Sequence, residues 1–502
     1  MAANGTAAAN GSPGCGAAGG ERVLILGAAG RDYHTFNTLF RDGPRAPDTV
    51  VGFTHAQIPH IESGAYPPAL AGAKYPEGLP IWREDRLEAV IAEQRVTRAI
   101  LAYSDVSYAD VMALAARVRS AGAAFEMLPW RAGALQAPKP VVAVTATRTG
   151  CGKSQLCKMV VDVARAEGLR TVVVRHPMPY GRLEEQAVQR FATVDDLARH
   201  RATIEEREEY EQHINNGAVV YAGVDYAAIL AAASVEADVL LWDGGNNDTP
   251  FFAPDLWVCV ADPFRPAAQE GYYPGDVNFM RADIIVVNKA NTAPQEGVEA
   301  VLASAARVNP AALAVCTSSE VSVDAPDLIR GRRVVVVEDG PTLTHGGMPT
   351  GAGWVAAAKY GAAEVVDPRP FFRGEMAATL ARYPHIGPVV PAMGYSAAQI
   401  ADLEATLNAV PADAIVVGTP TDISLVMGRL DKPRAAVTYG IAPGERGAPR
   451  LRDALREFLL ARAAPAAAAP AAAAAPVNVG TCGNASAMAA AAAVTVADVA
   501  AV

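Results

Sequence analysis

Short runs of valine, isoleucine and leucine recur along this chain. Between them lie stretches in which apolar residues return every three or four positions. Runs of the first kind predict buried strands, and stretches of the second kind predict helices. The first run is Val23-Leu24-Ile25-Leu26, followed by Gly27-Ala28-Ala29-Gly30-Arg31-Asp32. Ala99-Ile100-Leu101-Ala102-Tyr103 is another, with a helix expected over 109–121. From Val141-Val142-Ala143-Val144 onward, strands are expected over 171–174, 239–242, 256–260, 284–287, 312–316 and 334–337. More follow over 364–366, 386–390 and 414–417. This alternation predicts an α/β protein with parallel sheets. The segment 183–212 reads as helical and heavily charged, and its Glu205-Glu206-Arg207-Glu208-Glu209-Tyr210-Glu211 reads as a solvated face.

One turn carries more chemistry than the rest. Thr147-Arg148-Thr149-Gly150-Cys151-Gly152-Lys153-Ser154 follows the strand at 141–144 and precedes a helix over 155–164. Strand, glycine-rich turn, Lys-Ser and helix form a phosphate loop. Backbone N–H groups and the helix N-terminus face the phosphates. Lys153 is placed to reach the β- and γ-phosphates of a nucleoside triphosphate, and the Ser154 hydroxyl to hold Mg²⁺. The first glycine of G-x-x-x-x-G-K-S is replaced by Thr147. The chain then divides into a Rossmann-like α/β domain over 21–136, a P-loop nucleotide-binding domain over 139–340 and a C-terminal α/β extension over 341–463. Residues 1–20 and the Ala/Pro-rich 464–502 read as disordered tails.

Composition narrows the class. The 502 residues are 51% hydrophobic, enough for several cores, and carry a net charge of −10. That balance argues against a nucleic-acid partner. The six cysteines form no C-x-x-C pair, so neither a zinc site nor a disulfide framework is expected. The N-terminus does not read as a secretory signal, and no stretch reads as a membrane span. A cytoplasmic protein is the expectation.

Other candidate positions stand at strand ends, where ligands gather in open α/β sheets. Asp243 ends the run at 239–242 and suits Mg²⁺. Asn288-Lys289-Ala290-Asn291 resembles a guanine-reading element, but Asn291 lacks the carboxylate, so guanine selectivity is not supported. A plain polar turn reads equally well there. Arg148, five residues before Lys153, is placed to reach a phosphate or simply the surface. Arg175-His176 and Asp262-Pro263-Phe264-Arg265 supply cations for a polyanionic substrate, or cap the sheet. Arg31 and His34 after the first glycine turn, and His345 in Pro341-Thr342-Leu343-Thr344-His345-Gly346-Gly347, are further substrate contacts or ordinary turn residues.

Together these stretches, with Trp242 to Asp248 and Tyr272-Tyr273-Pro274-Gly275, resemble the cyclic 2,3-diphosphoglycerate synthetases over roughly 21–460. The resemblance implies a homodimer that uses ATP to close 2,3-bisphosphoglycerate into a cyclic anhydride, releasing ADP and phosphate. It implies that Lys153 and Arg148 meet γ-phosphate charge, Ser154 and Asp243 hold Mg²⁺, and Arg175, His176 and Arg265 hold substrate. Three alternatives stay open: a regulatory or metallochaperone-type GTPase, an ATP-dependent ligase that phosphorylates a carboxylate, and a nucleotide-sensing binding module.

Overall fold

The computed structural model describes residues 20–463 apart from 29, 57–63, 177–181, 345, 394–396, 420–422, 424–426, 428 and 443–446. The expectations for His345, for most of the 175–182 loop and for both tails therefore lie outside the described residues. Among the described residues, three larger sheets and one two-stranded sheet organise the chain.

The first sheet has six strands, with Arg22–Leu26 between Thr49–His55 and Arg98–Leu101. The second has eight. Its order is Gln189–Phe191, Val219–Ala222, Thr171–Arg175, Val239–Asp243, Val141–Ala146, Leu256–Ala261, Ile284–Val287 and Leu313–Cys316. Val141–Ala146 lies at its centre, parallel to both neighbours. Every residue of that strand is buried, which explains a run with no polar alternation. The helix Lys153–Ala166 covers one face, with Leu156, Cys157, Val160 and Ala164 in the core beneath it.

The third sheet joins Ser319–Val323, Arg434–Ile441, Ala414–Gly418, Arg333–Asp339 and Glu364–Val365, with Val390–Ala392 also on Arg333–Asp339. Here the structure corrects the sequence reading. Arg333–Asp339 pairs with Ala414–Gly418 and not with the phosphate-loop sheet. The third sheet thus begins near Ser319, ahead of the boundary at 340. The last described helix, Ala448–Ala463, crosses back: Leu451, Leu455 and Leu459 complete the core under the phosphate-loop helix. The resulting α/β fold places the carboxyl ends of five parallel strands of the second sheet, and of Arg333–Asp339 and Ala414–Gly418 in the third, around one cavity.

Candidate active site

The loop leaves Val141–Ala146 at Thr147 and enters its helix at Lys153. Gly150 and Gly152 have φ of 82° and 101°. L-residues with a side chain adopt that left-handed region at a cost of about 1–2 kcal/mol. A Cβ at Gly152 would also lie 2.2 Å from the Asn288 amide nitrogen. Thr147 tolerates its side chain because the backbone there still belongs to the sheet. Its N–H donates to the Val260 carbonyl at 2.9 Å. The hydroxyl packs 3.6 Å from Cys151 Sγ.

Three of the expected ligand contacts hold the loop itself. Lys289 Nζ donates to the Gly150 carbonyl at 2.6 Å and to Asp262 at 2.9 Å. The Asn288 amide donates to the Cys151 carbonyl at 3.1 Å. Arg265 donates to the Thr149 carbonyl at 2.8 Å and to Asp262 at 2.9 Å. Carbonyls drawn outward leave the peptide N–H groups turned the other way, as an anion cradle requires. Burial opposes the charge on Asp262, but Lys289 and Arg265 outweigh it and hold the carboxyl below its usual range. Asn291 exchanges both halves of its amide with the Ser319 backbone, at 3.2 and 3.0 Å, an arrangement that does not serve base reading. The Cys151 thiol is pushed up by burial, so it is no thiolate nucleophile.

Asp243 is the hub of the charged site. It lies beside Arg175 on the neighbouring strand and is fully buried. Its carboxylate meets Lys153 Nζ at 2.5 Å, Arg175 at 2.7 Å and His213 Nε2 at 2.8 Å. Burial disfavours its charge, yet Arg175, Lys153 and His213 hold it well below the usual carboxylate range. Arg175 also binds Glu209 Oε2 through Nε at 2.6 Å. These contacts modify the expected roles. Asp243 serves as counter-ion to Lys153 and Arg175 and as hydrogen-bond partner of His213, and Arg175 is matched by two carboxylates. His213 and Glu209 lie on the helix Ile204–Asn215, which reads from sequence as solvated. The structure instead buries Glu206, Glu208, Glu211 and His213; Glu206 is held by the Thr203 cap, Glu208 by Thr419 and His213 by Asp243.

The N-terminal unit enters the site through Asp105, which sequence reasoning missed. Its carboxylate accepts from Arg148 Nε at 2.7 Å and from the Thr149 hydroxyl at 2.8 Å. Arg31 and His34 behave differently from the expectation, and neither lines the cavity. Arg31 binds buried Asp248 at 2.6 Å, and the same carboxylate meets His176 Nε2 at 3.0 Å. His34 stacks on Phe251 with centroids 4.1 Å apart. Burial pushes its imidazole down to about 3, so it stays neutral. Both residues fasten one unit to the next.

The cavity measures about 810 Å³. Arg148, Thr149, Gly150, Gly152, Lys153 and Ser154 line it. Glu208, Glu338 and Asp339 line it too. Glu338 accepts backbone N–H bonds from Gly351, Gly353 and Trp354, yet burial outweighs them and pushes its carboxyl up to about 7. Asp339 is likewise raised by burial, against its bonds to Thr342, and it shares a hydrogen bond with Glu208. Gln155, 7% exposed, lines the same space, and its Oε1 has no partner among the described residues.

A nucleoside triphosphate fits this loop: left-handed glycines, outward carbonyls and a lysine at the helix start converge on one opening. For Mg²⁺ the fit is narrower. Ser154 offers its hydroxyl to the cavity, while Asp243 already holds cations. Among the described residues, no group of three or more His, Cys, Asp or Glu forms a metal cage. No described helix is long and apolar enough to cross a membrane.

No protein-family model matches the chain. The ATP complex of LpxK from Aquifex aeolicus is similar over 65% of this chain and 90% of its own, at 13% identity and a TM-score of 0.37. The hydrogenase maturation factor HypB from Archaeoglobus fulgidus aligns over 37% and 82%, at 17% identity and a TM-score of 0.23. Scores this low carry no argument. A far stronger likeness is to the arginine synthetase ArcE of Thermococcus kodakarensis, 53% identical over 438 residues, covering 87% of this chain and 97% of that protein. Identity at this level over nearly the whole folded length shows that the chain belongs to the ArcE arginine synthetase family.

Proposed function

We propose that the chain is an ATP-dependent synthetase that completes a guanidinium group, giving arginine, ADP and phosphate. The relative's name supports the product. The observation that carries the reading is the double character of the cavity lining, which holds both the phosphate loop and the carboxylates Glu208, Glu338 and Asp339. A bisphosphate substrate would bring a second anion toward those carboxylates. Like charges about 4 Å apart repel by about 4 kcal/mol at an effective dielectric near 20. An ammonium or guanidinium group is attracted by the same amount, and the orphan Gln155 Oε1 offers a further acceptor for its N–H groups.

The chemistry follows from the product. A ureido oxygen is a poor leaving group until it is phosphorylated. In the proposed reaction the ureido oxygen of citrulline attacks the γ-phosphorus of ATP, and ADP departs with the P–O bond pair. Ammonia then adds to the ureido carbon. Phosphate leaves with the C–O bond pair, and the resulting C=N⁺ is the guanidinium. Lys153 and Arg148 offset charge on the transferred phosphoryl group. Ser154 and the phosphate oxygens would hold Mg²⁺, which supplies further neutralisation. Such a transfer is mostly positioning and charge compensation.

Cyclisation of 2,3-bisphosphoglycerate is the second reading, favoured by the glycine-turn, Arg175-His176 and Asp262-to-Arg265 motifs. Against it, Arg175 is matched by Asp243 and Glu209, and His176 by Asp248. Steady-state phosphate release separates the two. Release from ATP stimulated by citrulline with ammonium, and not by 2,3-bisphosphoglycerate, is the expected result. The reverse pattern would establish the cyclising reaction. A preference for GTP with no response to either substrate would point to a switch GTPase.

A further inference from the structure

We infer that Asp105 is a positioning residue for nucleotide turnover, a carboxylate from the N-terminal unit that sets the Arg148 guanidinium at the phosphate loop. The inference rests on the reading that this loop holds a nucleoside triphosphate.

Asp105 lies just beyond the strand Arg98–Leu101, at the carboxyl edge of the first sheet. It is anchored on its far side. Val106–Ser107 pairs antiparallel with Tyr272–Tyr273 of the phosphate-loop unit, and Ser107 then caps the helix Tyr108–Ser120. The Asp105 backbone has φ of 56°, a left-handed conformation that aspartate tolerates better than most residues. The carboxylate so placed makes three bonds to two successive loop residues. Arg148 Nε donates at 2.7 Å, the Thr149 hydroxyl at 2.8 Å and the Thr149 N–H at 3.3 Å.

Arg148 is held from a second direction. Its guanidinium carbon stands 3.6 Å from the centre of the Tyr272 ring. Edge and face together fix the guanidinium plane, and the side chain, 10% exposed, lines the cavity beside Thr149 and Gly150. A guanidinium ordered before nucleotide arrives loses less freedom when it meets a phosphate. Tyr272 and Asp105 come from different units, so the phosphate site is complete only when both are docked.

Simple charge counting and positioning predict opposite outcomes for Asp105→Asn. Removing a negative charge beside the loop strengthens ATP relative to ADP if Asp105 acts only through its field. Releasing Arg148 weakens ATP relative to ADP if Asp105 acts by positioning. Calorimetric affinities for ATP and ADP measure that ratio whatever the second substrate is. We expect Asp105→Asn to lower the ATP-over-ADP ratio about tenfold, the scale of one charge-assisted hydrogen bond to phosphate. Arg148→Ala should lower it at least as far, and the double variant no further than Arg148→Ala alone. Tyr272→Leu, which leaves the carboxylate in place, should lower it in the same direction by less. A ratio unchanged or raised in Asp105→Asn, or effects that multiply in the double variant, would overturn the inference. Failure of the wild type to form arginine, with the ATP-over-ADP pattern intact, would instead overturn the proposed reaction and leave this role standing.

Discussion

At the end of Arg22–Leu26 the chain runs through Gly27 and Gly30 into a five-residue helix, Arg31–Thr35. At the end of Val141–Ala146 it runs through Gly150 and Gly152 into a fourteen-residue helix, Lys153–Ala166. Both turns follow buried parallel strands, and both are flanked by cations. In the first, the space above the turn is filled by protein: a Cβ at Gly30 would lie 2.3 Å from His176 Nε2, and Arg31 is spent on Asp248. In the second, the supporting groups stand behind the loop and its front opens on the cavity. A glycine turn becomes a ligand site when its carbonyls are held from outside and nothing of the protein occupies its concave side.

Removing the cation from the open turn should have the largest effect. Lys153→Ala is expected to lower nucleotide turnover at least ~10²–10³-fold, the scale of losing one preorganised charge contact in a transition state. Stopped-time phosphate assays check this. Asp243→Ala strips the counter-ion from Lys153 and Arg175 and the hydrogen-bond partner from His213. Leaving buried charge uncompensated costs ~3–5 kcal/mol, readable as a shifted urea midpoint. Arg31→Ala, in the filled turn, should lower stability by about 2–3 kcal/mol through loss of charged hydrogen bonds to Asp248 and Thr249. Its turnover per folded molecule should stay within about twofold; a large loss would return Arg31 to the substrate site.

The smallest effect is a pH response, and it separates the filled turn from the open cavity. His34, pushed down to about 3, stays neutral in the folded protein and adds no slope to ligand binding, but the stability it contributes is lost as pH falls from its unfolded value of 6.5 toward about 3. Glu338, pushed up to about 7, titrates in range. A cation binds its ionised form, so arginine should bind several-fold tighter at pH 8 than at pH 6. The sign for folding is opposite. A carboxyl raised above its unfolded value of 4.5 contributes stability that is complete below that value and is lost as pH rises through about 7. Calorimetry and thermal melts across this window test both signs.

The valine runs, the phosphate loop and Asp243 at its strand tip were legible because each is a local pattern with a local cause. The charged helix Ile204–Asn215 was not. Whether a glutamate faces water depends on where its partners lie, and the partner of Glu209 is Arg175, at the end of a separate strand. Asp105 left no local signal either, since its partners come 43 and 44 residues later. Arg333–Asp339 has the composition of the strands before it, and nothing in a valine run states which sheet it joins.

The proposed reaction couples phosphoryl transfer from ATP to formation of a guanidinium in this cavity. The most direct measurement incubates the chain with ATP, Mg²⁺, citrulline and ¹⁵N-ammonium and follows nitrogen and phosphorus by NMR. The expected result is ¹⁵N in the terminal guanidinium of arginine, with one ADP and one phosphate formed per label incorporated. ATP consumed without labelled arginine, with a cyclic anhydride signal when 2,3-bisphosphoglycerate replaces citrulline, would contradict it.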